Sequence, residues 1–138
     1  MNVESLRKFC LTFPNATENL QWGDALCFKI GGKLFVTLTL DVGSRPRICL
    51  KCDPETFAEL IEREGIAPAP YVGRYKWVGL DALDTLPNRE LQGLIGRSYE
   101  LVVEKLPKNT IAKKAFAKNA FAEKAKKRKP PSPRKKSQ

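Results

Sequence analysis

Along residues 22–53 apolar and polar side chains alternate with a period of two, interrupted twice by turn residues. Leu26, Phe28 and Ile30 alternate with Cys27 and Lys29. Gly31-Gly32 then supplies two residues free to take positive φ, and Leu34, Val36, Leu38 and Leu40 resume the alternation against Phe35, Thr37 and Thr39. After a breaker-rich turn over 41–46, Ile48, Leu50 and Cys52 share one face, with Cys49 and Lys51 on the other. The pattern predicts a three-stranded antiparallel meander with one nearly all-apolar face, which other elements must cover.

The flanks change period. Behind Asn2, an N-cap, Val3, Leu6, Phe9, Cys10 and Phe13 recur at helical spacing until Pro14-Asn15 stops them. Residues 15–23 are expected to form a connector, with Trp22 as a packing anchor. Asp53-Pro54-Glu55-Thr56 is a helix start, with Asp as cap and Pro at the first position, where its missing N–H costs nothing. Phe57, Leu60 and Ile61 give that helix its apolar stripe and Gly65 its stop. Its outer side bears Glu55, Glu59, Glu62 and Glu64, which repel a phosphate backbone. Residues 66–75 form a loop broken by Pro and Gly that leads into a short strand over 75–80. From Pro87 a long helix carries Leu91, Leu94, Ile95, Ser98, Leu101 or Val102, and Leu106 until Pro107. Together these elements predict an α+β fold, a meander plus a further strand packed against helices.

Charge divides the chain in two. Of 25 Lys and Arg and 15 Asp and Glu, residues 1–107 hold 13 and 14, whereas residues 108–138 hold 12 and 1. The body is neutral, and all the excess positive charge sits on a C-terminal extension, which fits either a polyanion-binding tail or a solubilising one. Residues 110–127 are rich in Ala and Lys, with an approximate repeat, Ala115-Phe116-Ala117-Lys118-Asn119 then Ala120-Phe121-Ala122-Glu123-Lys124. Helix is expected there, marginal in isolation. The proline-broken run that follows is expected to be disordered when free. The candidate DNA contacts of the tail are Lys113, Lys114, Lys118, Lys124, Lys126, Lys127, Arg128, Lys129, Arg134, Lys135 and Lys136. Ser132-Pro133-Arg134-Lys135 resembles the S-P-K-K repeats of linker-histone tails, whose paired cations suit a narrow A·T minor groove.

Other chemistry is thin. The chain has no histidine, which removes the commonest general base and metal ligand. Its four cysteines, without a secretory signal, are expected to stay reduced. Cys49-Leu-Lys-Cys52 has C-x-x-C spacing but falls in a predicted strand, where residues three apart point to opposite faces, so a structural role is expected. Asp24, Asp53 and the thiols form no catalytic constellation, so no enzyme activity, metal or cofactor is expected. No run is long and apolar enough for a membrane span, and a cytoplasmic protein is expected. The richest mixture of aromatics and cations in the body is Tyr71, Arg74, Tyr75, Lys76 and Trp77, a composition that suits base stacking with phosphate contact or simple packing on the sheet.

The ordered set Trp22-Gly23-Asp24, Cys27-Phe28-Lys29, Gly32-Lys33-Leu34-Phe35, Leu50-Lys51-Cys52-Asp53-Pro54, Pro68-Ala69-Pro70-Tyr71, Lys76-Trp77-Val78 and Ser98-Tyr99-Glu100-Leu101-Val102 through Lys105-Leu106-Pro107 resembles the MmcQ/YjbR family of small bacterial proteins. The resemblance covers residues 1 to about 108 and leaves 109–138 as an extension. It implies a two-layer sandwich of the CyaY-like type, without catalytic residues, whose projecting hairpins act as paired wings on DNA. Carried onto this sequence, the wings would present Lys33, Arg45 and Arg47, and Arg74, Tyr75 and Lys76. The expectation is a non-enzymatic, largely sequence-independent DNA-binding protein of the bacterial cytoplasm or nucleoid, with a monomer favoured. The alternative is a protein- or small-molecule-binding module that the tail only localises or solubilises. A neutral body lacks the electrostatic footprint of a DNA-binding domain unless its charges are segregated onto one face.

Overall fold

The period-two segments pair into one antiparallel sheet, and helices form where the helical spacing of apolar residues predicts them. The computed structural model describes residues 1–70 and 72–107; Tyr71 and every candidate contact of the tail, with its repeat and its Ser-Pro-Arg-Lys turn, lie outside the described residues. The elements are α1 (Val3–Cys10), β1 (Thr17–Gln21), β2 (Ala25–Ile30), β3 (Lys33–Thr39), β4 (Ile48–Lys51), α2 (Pro54–Leu60), β5 (Ile66–Pro68), β6 (Trp77–Leu80) and α3 (Asn88–Val103), with a 3-10 turn at Gly73–Tyr75. The strand order is β1-β2-β3-β4-β6-β5, so the fold is α+β.

Two strands arise where loops were expected. Thr17-Glu18-Asn19-Leu20-Gln21 shows little apolar alternation, yet it pairs along its whole length with β2, from Thr17 opposite Lys29 to Gln21 opposite Ala25. Ile66-Ala67-Pro68 pairs with β6 at the other edge, where a proline without an N–H is tolerated. The strand expected over 75–80 begins only at Trp77, because Lys76 takes a left-handed φ of 70° and closes the 3-10 turn. α2 has Pro54 in its first turn as expected, but the Asp53 side chain makes no cap; both carboxylate oxygens are held by Arg97 of α3, at 2.8 and 2.9 Å. At α1, Asn2 and Ser5 form a reciprocal capping box.

A bulge in β3 overturns part of the alternation. Phe28 pairs with Val36 but Lys29 pairs with Leu34, leaving Phe35 unpaired against β2. Phe35 thus turns into the core beside Val36 and sits edge-on to Tyr99 and Phe13, at 5.3 and 6.0 Å between ring centres. Phe13 stacks on Tyr99 at 4.7 Å, and the Tyr99 hydroxyl donates to the Pro14 carbonyl at 2.7 Å. Leu34, expected on the apolar face, is turned to the opposite one.

The helix layer covers one face. α3 packs across β2, β3 and β4, and the buried set includes Leu6 and Cys10 of α1, Val36, Leu38, Ile48, Leu50, Val78 and Leu80 of the sheet, and Leu91, Ile95 and Val103 of α3. Ser98, the buried polar residue of this core, bridges two strands: its hydroxyl donates to the Phe35 carbonyl at 2.6 Å and accepts from the Lys51 amide at 3.0 Å. This hydroxyl stands in for the ladder rung that the bulge displaces beyond Val36 and Leu50. Leu106 then packs on Gly31, whose positive φ of 59° turns the β2–β3 hairpin.

Candidate nucleic-acid interface

Among the described residues no helix packs on the second face of the sheet, and the pairing registers define its rows. One row runs Thr17, Lys29 and Leu34 across β1 to β3, and at the same end Lys51 of β4 pairs with Trp77 of β6. The next runs Asn19, Cys27, Thr37, Cys49, Gly79 and Ala67. Across the six described strands Glu18 is the one acidic residue, and it falls on the helix side, where its carboxylate accepts from Arg7 Nε of α1 at 2.9 Å. That bond holds the Glu18 carboxyl below the usual carboxylate range. The helices carry Glu4, Glu55, Glu59, Glu90 and Glu100 against Arg7, Lys8, Arg89 and Arg97, and the other eight acids of residues 1–107 lie in loops and turns. The strands themselves are polarised: the face away from the helices carries Lys29 and Lys51 and no strand acid.

The cations of this face cluster at one end. Antiparallel order brings the Gly31-Gly32 turn, the end of β4 and the start of β6 together, the last two tied by the Cys52 amide donating to the Lys76 carbonyl at 2.8 Å. Lys29 and Lys51 stand on the face there, with Arg74 in the adjoining 3-10 turn; Lys33, opposite core residue Ile30, and Lys76 lie at the same end on the helix side, and none of the five has a carboxylate ion pair among the described residues. Arg74 lies over the Tyr75 ring at 4.9 Å, and the Lys76 ammonium over Phe57 of α2 at 5.2 Å. Arg45 and Arg47 sit at the opposite end, in the β3–β4 loop. Arg45 is paired with Asp81 at 3.5 Å, and Arg47 Nε donates to the Thr39 carbonyl at 2.6 Å. Of the six expected wing positions, Lys33, Arg74, Tyr75 and Lys76 therefore share an end, and Arg45 and Arg47 do not join them.

On this face lies a cleft of about 320 Å³ lined by Trp22, Leu34, Thr37, Cys49, Ala69, Pro70, Val72 and Trp77. Trp22 is not the packing anchor expected from its neighbour Gly23. It is 73% exposed and held at a left-handed φ of 53°, a conformation costly for a bulky side chain. The thiols beneath are poor nucleophiles. Burial pushes Cys49 up, against a smaller opposing hydrogen bond with Thr37, and pushes Cys27 up against the smaller pull of the Lys29 charge. Cys49 and Cys52 face opposite sides as their spacing predicts, and burial drives Cys52 to about 12. Among the described residues no group of three or more His, Cys, Asp or Glu is placed to hold a metal ion, and no helix is long and apolar enough to cross a membrane.

The family model for YjbR matches residues 11–101, two thirds of the chain and every strand of the sheet. The chain belongs to the YjbR family. It is 27% identical over 111 residues to the uncharacterised YjbR protein of Escherichia coli K12, covering 78% of this chain and 92% of that one. Among solved structures it is similar to a Deinococcus radiodurans protein described by domain DUF419, with a TM-score of 0.67 at 29% identity over 75% of this chain and 80% of that chain. A Pseudomonas syringae protein shares the fold, with a TM-score of 0.59 at 22% identity over 73% and 98% of the two chains.

Within this YjbR fold, sequence reasoning missed Lys29, Lys51, Leu34 and Trp22 as members of one surface. For Lys29 and Leu34 the signal was the absence of acids from residues 25–40; Lys51 and Trp22 join them only through the strand pairing.

Proposed function

We propose that this YjbR-family protein is a non-enzymatic DNA-binding protein of the bacterial cytoplasm, acting at the nucleoid. Twelve cations against one acid on residues 108–138 supply sequence-independent affinity, and the lysine end of the helix-free sheet face orients the contact. The observation that carries the reading is the segregation of charge among the strands: the helix-free face bears Lys29 and Lys51, and the single strand acid, Glu18, lies on the helix side. This supplies the directional footprint that a net charge near zero does not reveal.

The test is duplex titration across a range of salt. With roughly six to ten phosphate contacts the intact chain gives a log K against log salt slope of about −5 to −9. Deleting 109–138 removes most of the affinity and flattens the slope, and changing Lys29 and Lys51 together to Gln in the full chain lowers the slope by roughly two contacts' worth. Equal affinity and slope after the deletion would refute the reading.

A further inference from the structure

The helix-free face offers more than charge. Trp22 and Trp77 line one cleft whose floor is Leu34, Thr37 and Cys49 and whose size falls at the low end of ligand pockets. Lys29 pairs with Leu34 and Lys51 with Trp77, two of the residues that line the cleft. Apolar walls with two indoles, bordered by cations and free of strand acids, complement a planar ring joined to an anion. They do not complement a cationic or purely aliphatic partner. Trp22 keeps 73% of its surface exposed beside the cleft while its backbone holds a left-handed φ of 53°.

We infer that this cleft takes an unpaired base of single-stranded DNA, stacked on the indoles of Trp22 and Trp77, with the adjoining phosphates on Lys29 and Lys51. The bases of an intact duplex are stacked inside it, so the cleft discriminates single strands, frayed ends and bubbles from duplex. The inference rests on the nucleic-acid reading above and names the substrate that the sheet face selects. Binding the base makes and breaks no covalent bond. Thr37 and the weak Cys49 thiol supply only a few hydrogen-bonding groups, so little preference among bases is expected.

The experiment compares a short oligothymidylate with a blunt duplex of equal length, using the full chain throughout. The single strand should quench indole emission. Trp22→Ala, at an exposed turn position, should lower single-strand affinity roughly 5- to 150-fold, the loss of one base stack, and leave duplex affinity unchanged. Trp22→Tyr should retain most of the affinity, and Trp77→Ala, checked for an unaltered melting profile, should behave as Trp22→Ala does. Unchanged single-strand affinity in both alanine variants, or an equal loss on both DNAs, would overturn the base-binding cleft while leaving tail-driven binding intact. An intact protein that binds neither DNA in dilute buffer would overturn both readings.

Discussion

Replacing Ser98 by Ala removes one oxygen from the core and leaves two backbone groups to be accounted for. The Phe35 carbonyl loses a donor at 2.6 Å, and the Lys51 amide loses an acceptor at 3.0 Å. The bulge has already pushed these groups out of the ladder, and Ser98 is fully buried, so water does not replace the hydroxyl without opening the core. An unsatisfied buried polar group costs about 1–3 kcal/mol, and partial closure of β3 on β4 recovers some of it, so a net loss of about 2–4 kcal/mol is expected. For a domain near 100 residues this corresponds to a fall in Tm of roughly 10–20 °C. Urea denaturation gives the free energy and scanning calorimetry the midpoint. Because the same bond fixes the Lys51 amide at the lysine end of the open face, Ser98→Ala should also weaken DNA binding below its own melting range. A loss under about 0.5 kcal/mol, the level of an ordinary surface substitution, would refute the bridging role.

Two further outcomes follow from the geometry. A Cβ at Gly79 would lie 2.6 and 2.8 Å from the Cβ and Cγ atoms of Pro46, so Gly79→Ala should overpack the open face where the β3–β4 loop crosses it and cost about 1–3 kcal/mol by chemical denaturation; an unchanged urea midpoint would contradict the contact. The Arg97 guanidinium holds the Asp53 carboxyl below its ordinary range. A depressed folded-state value means the stabilisation is complete above the unfolded-state value of about 4 and is lost as pH falls from there through the folded-state value. Asp53→Asn should therefore flatten the acid limb of the stability profile, with Glu18 maintaining part of it; an acid limb as steep as the parent's would exclude the pair as its source.

The spacing of side chains was enough for the meander, the three helices and their starts, because apolar periodicity and capping are local properties of the chain. It was enough as well for the division of charge between residues 1–107 and 108–138, since counting needs no fold. Tertiary pairing decided the rest. Thr17–Gln21 and Ile66–Pro68 are strands only because β2 and β6 present unpaired edges to them. The bulge at Phe35 reverses the side-chain order within β3, sending Phe35 to Tyr99 and Leu34 to the cleft, and a period of two cannot register a residue that the partner strand skips. The open face is likewise a product of assembly. Lys29, Lys51 and Trp77 are far apart in sequence, and they become neighbours only when β6 inserts between β4 and β5 and the helices gather on the other side of the sheet.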